Sequence, residues 1–94
     1  MAREKSIFTR EYAILLTTLC GLREESGVTQ AAVARAMGRT QSVVSKCERG
    51  ERRLDQIETM YYCKGIGIDY EDFVRILLAK LKGTPIGKRS LKAK

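Results

Sequence analysis

The sequence predicts an all-α fold, a single domain of five helices. Three observations carry the prediction. Apolar residues recur at three- and four-residue spacing along the chain, Thr or Asp stands just before most of these runs, and glycine stands just after most of them. No strand-like alternation persists for long. A chain of 94 residues suffices for one domain, and a hydrophobic content of 44% is ordinary for a globular protein.

Each helix follows from its punctuation. Thr9 caps a first helix whose Tyr12, Leu15, Leu16, Leu19 and Leu22 share one buried face, and it ends near Ser26-Gly27, where glycine supplies the left-handed turn. Thr29 caps a second helix, Gln30 to Met37, with Val33, Ala34 and Met37 inward and Gly38 at its end. Thr40 caps a third, Gln41 to about Arg49, stopped by Gly50. Asp55 and Glu58 have the spacing of a capping box and open a fourth helix, with Ile57, Met60, Cys63 and Ile66 predicted on one face. Asp69 is expected to cap the fifth. Glu71 and Asp72 lie in its first turn and Lys80 and Lys82 in its last, an order that suits the helix dipole. Gly83 and Pro85 stop it. The resulting organisation is a basic arm over 1–8, a folded unit over 9–82 and a mobile basic tail over 83–94.

The net charge of +7 is concentrated at the ends. Residues 1–10 carry +2 and residues 83–94 carry +4, leaving +1 on everything between. Cationic ends keep a protein in solution or embrace a polyanion such as DNA. The tail residues Lys88, Arg89, Lys92 and Lys94, with Arg3 and Lys5 of the arm, fit either role. No stretch approaches the roughly 20 apolar residues of a membrane span, and the first residues lack the apolar region of a signal peptide. A cytoplasmic location is expected. Cys20, Cys47 and Cys63 are far apart and no histidine is present, so no metal site and no cofactor are expected. Cys47 and Cys63 read as small core hydrophobes.

The informative stretch is 28–54. Two short capped helices are joined by a tight turn at Gly38, with small Ala34 allowing close approach, which is a helix-turn-helix. The second of these helices is unusually polar, with Gln41, Ser42, Ser45 and Lys46 alongside Val43, an apolar residue expected at the surface. Such residues suit a major groove: Gln can bond adenine twice, Lys reaches guanine acceptors, Ser adapts, and Val43 can touch a thymine methyl. The same residues would also serve as an ordinary solvated face.

The run Leu22-Arg23-Glu24-Glu25-Ser26-Gly27-Val28-Thr29-Gln30, then Ala34, Gly38, Gln41-Ser42, Val44-Ser45-Lys46, Glu48-Arg49-Gly50 and Arg53-Leu54-Asp55, resembles the Cro and phage-repressor helix-turn-helix family, often called the XRE family. The resemblance spans roughly residues 11–78. It implies a lambda-repressor-like domain with the helix-turn-helix at helices 2 and 3. It also implies that Gln30 grips a phosphate, that Gln41, Ser42, Ser45 and Lys46 face base edges, and that Arg23 and Glu48 form an interior ion pair. Thr29, Gln30, Arg39, Thr40, Arg49, Arg52 and Arg53 are the candidate phosphate contacts, Arg49 and Arg52 ahead of Arg53, which can instead pair with Glu51 or pack its stem. Departures from the family pattern are Val33, where leucine is usual, and the bulky pair Tyr61 and Tyr62, of which one is exposed or meets a second subunit.

The expected function is sequence-specific binding of double-stranded DNA by a transcriptional regulator, a repressor acting as a homodimer on an inverted repeat. In such dimers the half-sites lie about 34 Å apart. The apolar surplus of the fifth helix, Phe73, Val74, Ile76, Leu77, Leu78 and Leu81, marks either a dimer contact or a thick core face. The alternative is an antitoxin-like module whose task is to bind a protein partner. An enzyme is not expected, because the sequence offers no histidine, no phosphate-cradling glycine loop and no evident carboxylate pair.

Overall fold

The computed structural model describes residues 9–82, which form five α-helices and, within that range, no strand. The helices are α1 (Arg10–Ser26), α2 (Gln30–Met37), α3 (Gln41–Glu48), α4 (Gln56–Gly65) and α5 (Tyr70–Leu81). The arm over 1–8 and the tail over 83–94, with the stop signals Gly83 and Pro85, lie outside the described residues.

Local chemistry sets the helix ends. The hydroxyls of Thr9, Thr29 and Thr40 accept from the backbone N–H of Tyr12, Ala32 and Val43, each satisfying one orphan donor. Asp55 and Glu58 form the complete capping box, the Glu58 N–H donating to Asp55 at 2.7 Å and the Asp55 N–H to Glu58 at 3.1 Å. At the other ends, Gly27 and Gly38 take φ of 72° and 70°, which lets Val28 and Arg39 donate back across the last turn. Asp69 occupies the N-cap position of α5 but makes no side-chain capping bond, contrary to the expectation.

One core receives all five helices: Tyr12, Leu16 and Leu19 from α1, Val33 and Ala34 from α2, Val44 and Cys47 from α3, Tyr62 and Cys63 from α4, and Phe73 from α5. Leu54 and Ile66 close it from the adjoining loops. The buried polar Thr18 donates to the carbonyl of Ile14 at 2.7 Å and so carries no unmet hydroxyl. The three cysteines are free thiols, with Cys47 and Cys63 buried as expected. Burial pushes the Cys63 thiol up to about 11.

The inward face of α4 differs from the expected one. Ile57 and Met60 point outward, 58% and 41% exposed, while Thr59, Tyr62, Cys63 and the following Ile66 are buried. The helix is turned so that Tyr62, rather than the more apolar Ile57 and Met60, enters the core. Its hydroxyl finds a carboxylate there, described below. Tyr61 stays at the surface. The apolar surplus of α5 packs largely inward: Phe73 is buried, Val74 and Leu77 lie against the core, and Leu78 is the exposed large residue of that helix.

Helices α2 and α4 approach closely at Gly65. A Cβ placed there would stand 3.0 Å from the Ala36 Cβ and 3.3 Å from the Val33 Cα. Gly→Ala in a helix normally gains up to about 1 kcal/mol, but here the new methyl meets backbone. Gly65→Ala is therefore expected to destabilise by about 1–3 kcal/mol, the range for overpacking. Chemical denaturation checks the sign, and a gain in stability would show that the two helices separate freely.

Candidate nucleic-acid interface

Helix α3 is held at both ends and along its inner side. Thr40 fixes its start, Gly50 with φ of 82° follows its end, and Val44 and Cys47 anchor it in the core. Its opposite side presents Gln41, Ser42 and Lys46, all exposed, with Ser45 half-buried. Val43, expected at the surface, is half-buried and packs against the core, so only part of its side chain faces outward. Three polar or cationic residues on one exposed face give both hydrogen-bond donors and acceptors on a rigid support.

Beneath this face lies a buried carboxylate. Glu48 accepts from Arg23 Nε at 2.8 Å and Arg23 Nη2 at 3.1 Å, the two-point pairing that fits a guanidinium to a carboxylate. Gln30 Nε2 donates to Glu48 Oε1 at 2.9 Å, and the Tyr62 hydroxyl donates to Oε2. Arg23 also donates to the carbonyl of Val28 at 3.0 Å. The Arg23–Glu48 pair is as the family pattern implies; Tyr62 and Gln30 are additions. Gln30 in turn accepts from Gln41 Nε2 at 3.4 Å. A continuous chain of hydrogen bonds thus runs from the ion pair through Gln30 to the first residue of α3.

The arginines sort by their partners. Arg49 lies against Glu51 at 3.0 Å and donates to the Ser45 hydroxyl, both at the surface. Arg52 makes a two-point pair with Glu58, at 3.0 and 2.9 Å, and also donates to the carbonyl of Arg53 at 3.2 Å. Arg39, from the turn between α2 and α3, reaches the same Glu58 at 3.2 Å. The Arg53 guanidinium stacks 4.7 Å above the ring of Tyr12, whose hydroxyl accepts from the Leu54 N–H at 2.9 Å. Arg39, Arg52 and Arg53 line a cleft with Asp55 and Glu58 at the start of α4. Thr29 and Thr40 are exposed at the N-termini of α2 and α3, where backbone donors and dipole favour an anion.

Two residues of this arrangement escaped the sequence reading. In the sequence the capping box alone accounts for Glu58 and hides its second task as partner of two arginines. Tyr62 was signalled only by the alternative spacing Thr59, Tyr62, Cys63 and Ile66, which is as periodic as the one that includes Ile57 and Met60.

Both carboxylates are held below their ordinary value of 4.5. For Glu58 the hydrogen bonds from Arg52 dominate and bring it to about 2. Burial alone would raise Glu48, but the bonds from Arg23, Tyr62 and Gln30 outweigh it. A carboxylate depressed in the folded state stabilises the fold fully above its unfolded value and ceases to do so as pH falls through the folded value. The thermal midpoint is therefore expected to fall steeply below pH 4.5 and towards about 2. Glu58→Gln should make that fall shallower, and an equally steep profile in this variant would place the acid sensitivity elsewhere.

Among the described residues no helix is long and apolar enough to cross a membrane, and no cluster of potential ligands could hold a metal ion. Comparison with curated proteins returned no match. A family profile described as a helix-turn-helix domain matches residues 14–79. Among solved structures, the chain is similar to an XRE-family like protein from Pseudomonas syringae pv. tomato str. DC3000. The two share 42% identity with a TM-score of 0.73, over 90% of this chain and 100% of the other. The five-helix fold and the two capped helices around Gly38 agree with these likenesses, and the chain belongs to the XRE-type helix-turn-helix proteins, a family of DNA-binding regulators.

Proposed function

We propose that the protein is a transcriptional repressor that binds an inverted repeat as a homodimer, with α3 in the major groove. The observation that carries the reading is the exposed face of Gln41, Ser42 and Lys46 on a helix anchored through Val44 and Cys47. These side chains supply the donors and acceptors that distinguish base pairs in the major groove. Ser45 and the outward part of Val43 complete the reading surface. Thr29, Gln30, Arg39, Thr40, Arg49, Arg52 and Arg53 take phosphates around it, fixing register without reading sequence. Arg49 and Arg52 first exchange or share their carboxylate partners, so their contributions are smaller than their charge suggests.

A helix of eight residues touches only a few base pairs. Pairing two copies doubles the site and sets its halves about 34 Å apart, which supports the dimeric reading. Selection from a pool of random duplexes at two salt concentrations tests it. Enrichment of an inverted repeat with one-turn spacing is the expected result. Weak, steeply salt-dependent binding without any enriched sequence would leave only phosphate attraction, and would turn the reading to a protein-partner module.

A further inference from the structure

We infer that Glu58 is a positioning residue for DNA binding, holding Arg39 at the edge of the reading surface with Arg52 as its anchor. The inference rests on the DNA-binding reading above and goes beyond it by assigning a role to an acidic residue. An acidic residue beside a polyanion would otherwise only weaken binding.

The geometry is that of a bracket. Arg39 stands two residues before α3 and Arg52 four residues after it, so the two cations flank the reading helix in sequence. Both converge on Glu58, in the first turn of α4. Glu58 itself is pinned by its capping bond from the Asp55 N–H and by the two-point pair with Arg52. Its side chain is only 12% exposed, whereas that of Arg39 is 47% exposed.

The two arginines differ in what they have left to give. Arg52 spends Nη1 and Nη2 on Glu58 and shares Nη1 with the Arg53 carbonyl. Arg39 is bound to Glu58 through Nη2, in one hydrogen bond of 3.2 Å. A guanidinium carries five donors, so Arg39 keeps most of its own for an outside acceptor while one bond fixes its direction. An unrestrained arginine loses rotamer freedom when it is immobilised. Part of that loss has already been met in the folded protein. The acceptor that fits an exposed guanidinium beside a base-reading helix is a DNA phosphate oxygen.

The test sets electrostatics against positioning, because they predict opposite signs. Glu58→Gln removes a negative charge near DNA while glutamine still serves a capping box. If Glu58 merely repels DNA, the variant binds every duplex more tightly. If Glu58 positions Arg39, affinity for the selected duplex falls by about tenfold, the loss expected for one well-made charged hydrogen bond, while affinity for unrelated duplexes holds or rises. In an Arg39→Ala background the same substitution should cause no further loss of specific binding. Equal losses in both backgrounds, or tighter binding of the selected duplex, would overturn the inference. A wild-type protein with no selected duplex at all would instead overturn the DNA-reading function. Circular dichroism at the assay temperature confirms that each variant is folded, and Arg39→Lys, which keeps the charge but not the planar fork, should recover only part of the loss.

Discussion

Glu48→Ala is expected to be among the most destabilising single substitutions in this protein, by about 3–5 kcal/mol, the cost of leaving a buried charge without its partner. The side chains of Arg23 and Glu48 are only 14% and 9% exposed, so water cannot replace what the carboxylate provided. Four hydrogen bonds converge on its two oxygens, from Arg23 twice, Gln30 and Tyr62. Removing it strands a guanidinium, an amide and a phenol together. Against a total stability of about 5–15 kcal/mol for a typical domain, that loss would leave much of the population unfolded on warming. Removing both charged partners, as Arg23→Met with Glu48→Leu, should cost less than Glu48→Ala alone, because no lone charge remains. Tyr62→Phe should cost about 1 kcal/mol, since Glu48 retains its other donors. Denaturant midpoints at constant slope give the ranking. A double variant less stable than Glu48→Ala would show that the pair stabilises by attraction beyond its desolvation cost.

The residues involved show what the sequence could and could not reveal. Helix boundaries were legible because their causes are local: a threonine hydroxyl reaches an N–H three residues on, and glycine alone relaxes at the φ of Gly27 and Gly38. The face of α4 was not legible. Hydrophobicity ranks Ile57 and Met60 above Tyr62, and periodicity admits either face. The choice is made by a hydrogen-bond partner fourteen residues away in another helix. The reading surface on α3 was visible as a polar run, since solvent-facing residues reveal themselves by composition. The arginines were not so legible. Charge marks Arg39, Arg49 and Arg52 as equivalent, and only the fold shows that Glu51 occupies the second, Glu58 occupies the third, and the first is the more lightly bound of those converging on Glu58.

On α3 itself, the double substitution Gln41→Ala and Lys46→Ala is expected to abolish selection of an inverted repeat. Each good contact to a base edge is worth about 1–3 kcal/mol of discrimination. Losing two of them in each half of a dimeric site therefore removes most of the specificity of roughly 4–10 kcal/mol that such proteins have. Stability should change little, because both side chains are exposed. Affinity for unrelated DNA should fall only modestly, through the one lost cation. The two single variants should not be alike. Lys46→Ala removes charge and lowers the salt slope, while Gln41→Ala leaves charge unchanged and also cuts the hydrogen-bonded path from Gln41 through Gln30 to Glu48. Gln30→Ala and Gln41→Ala should accordingly be non-additive in specific binding, by an interaction energy of about 0.5–3 kcal/mol. If Gln41 acted independently of Gln30 the two losses would simply add, and the buried ion pair would have no influence on how α3 meets its bases.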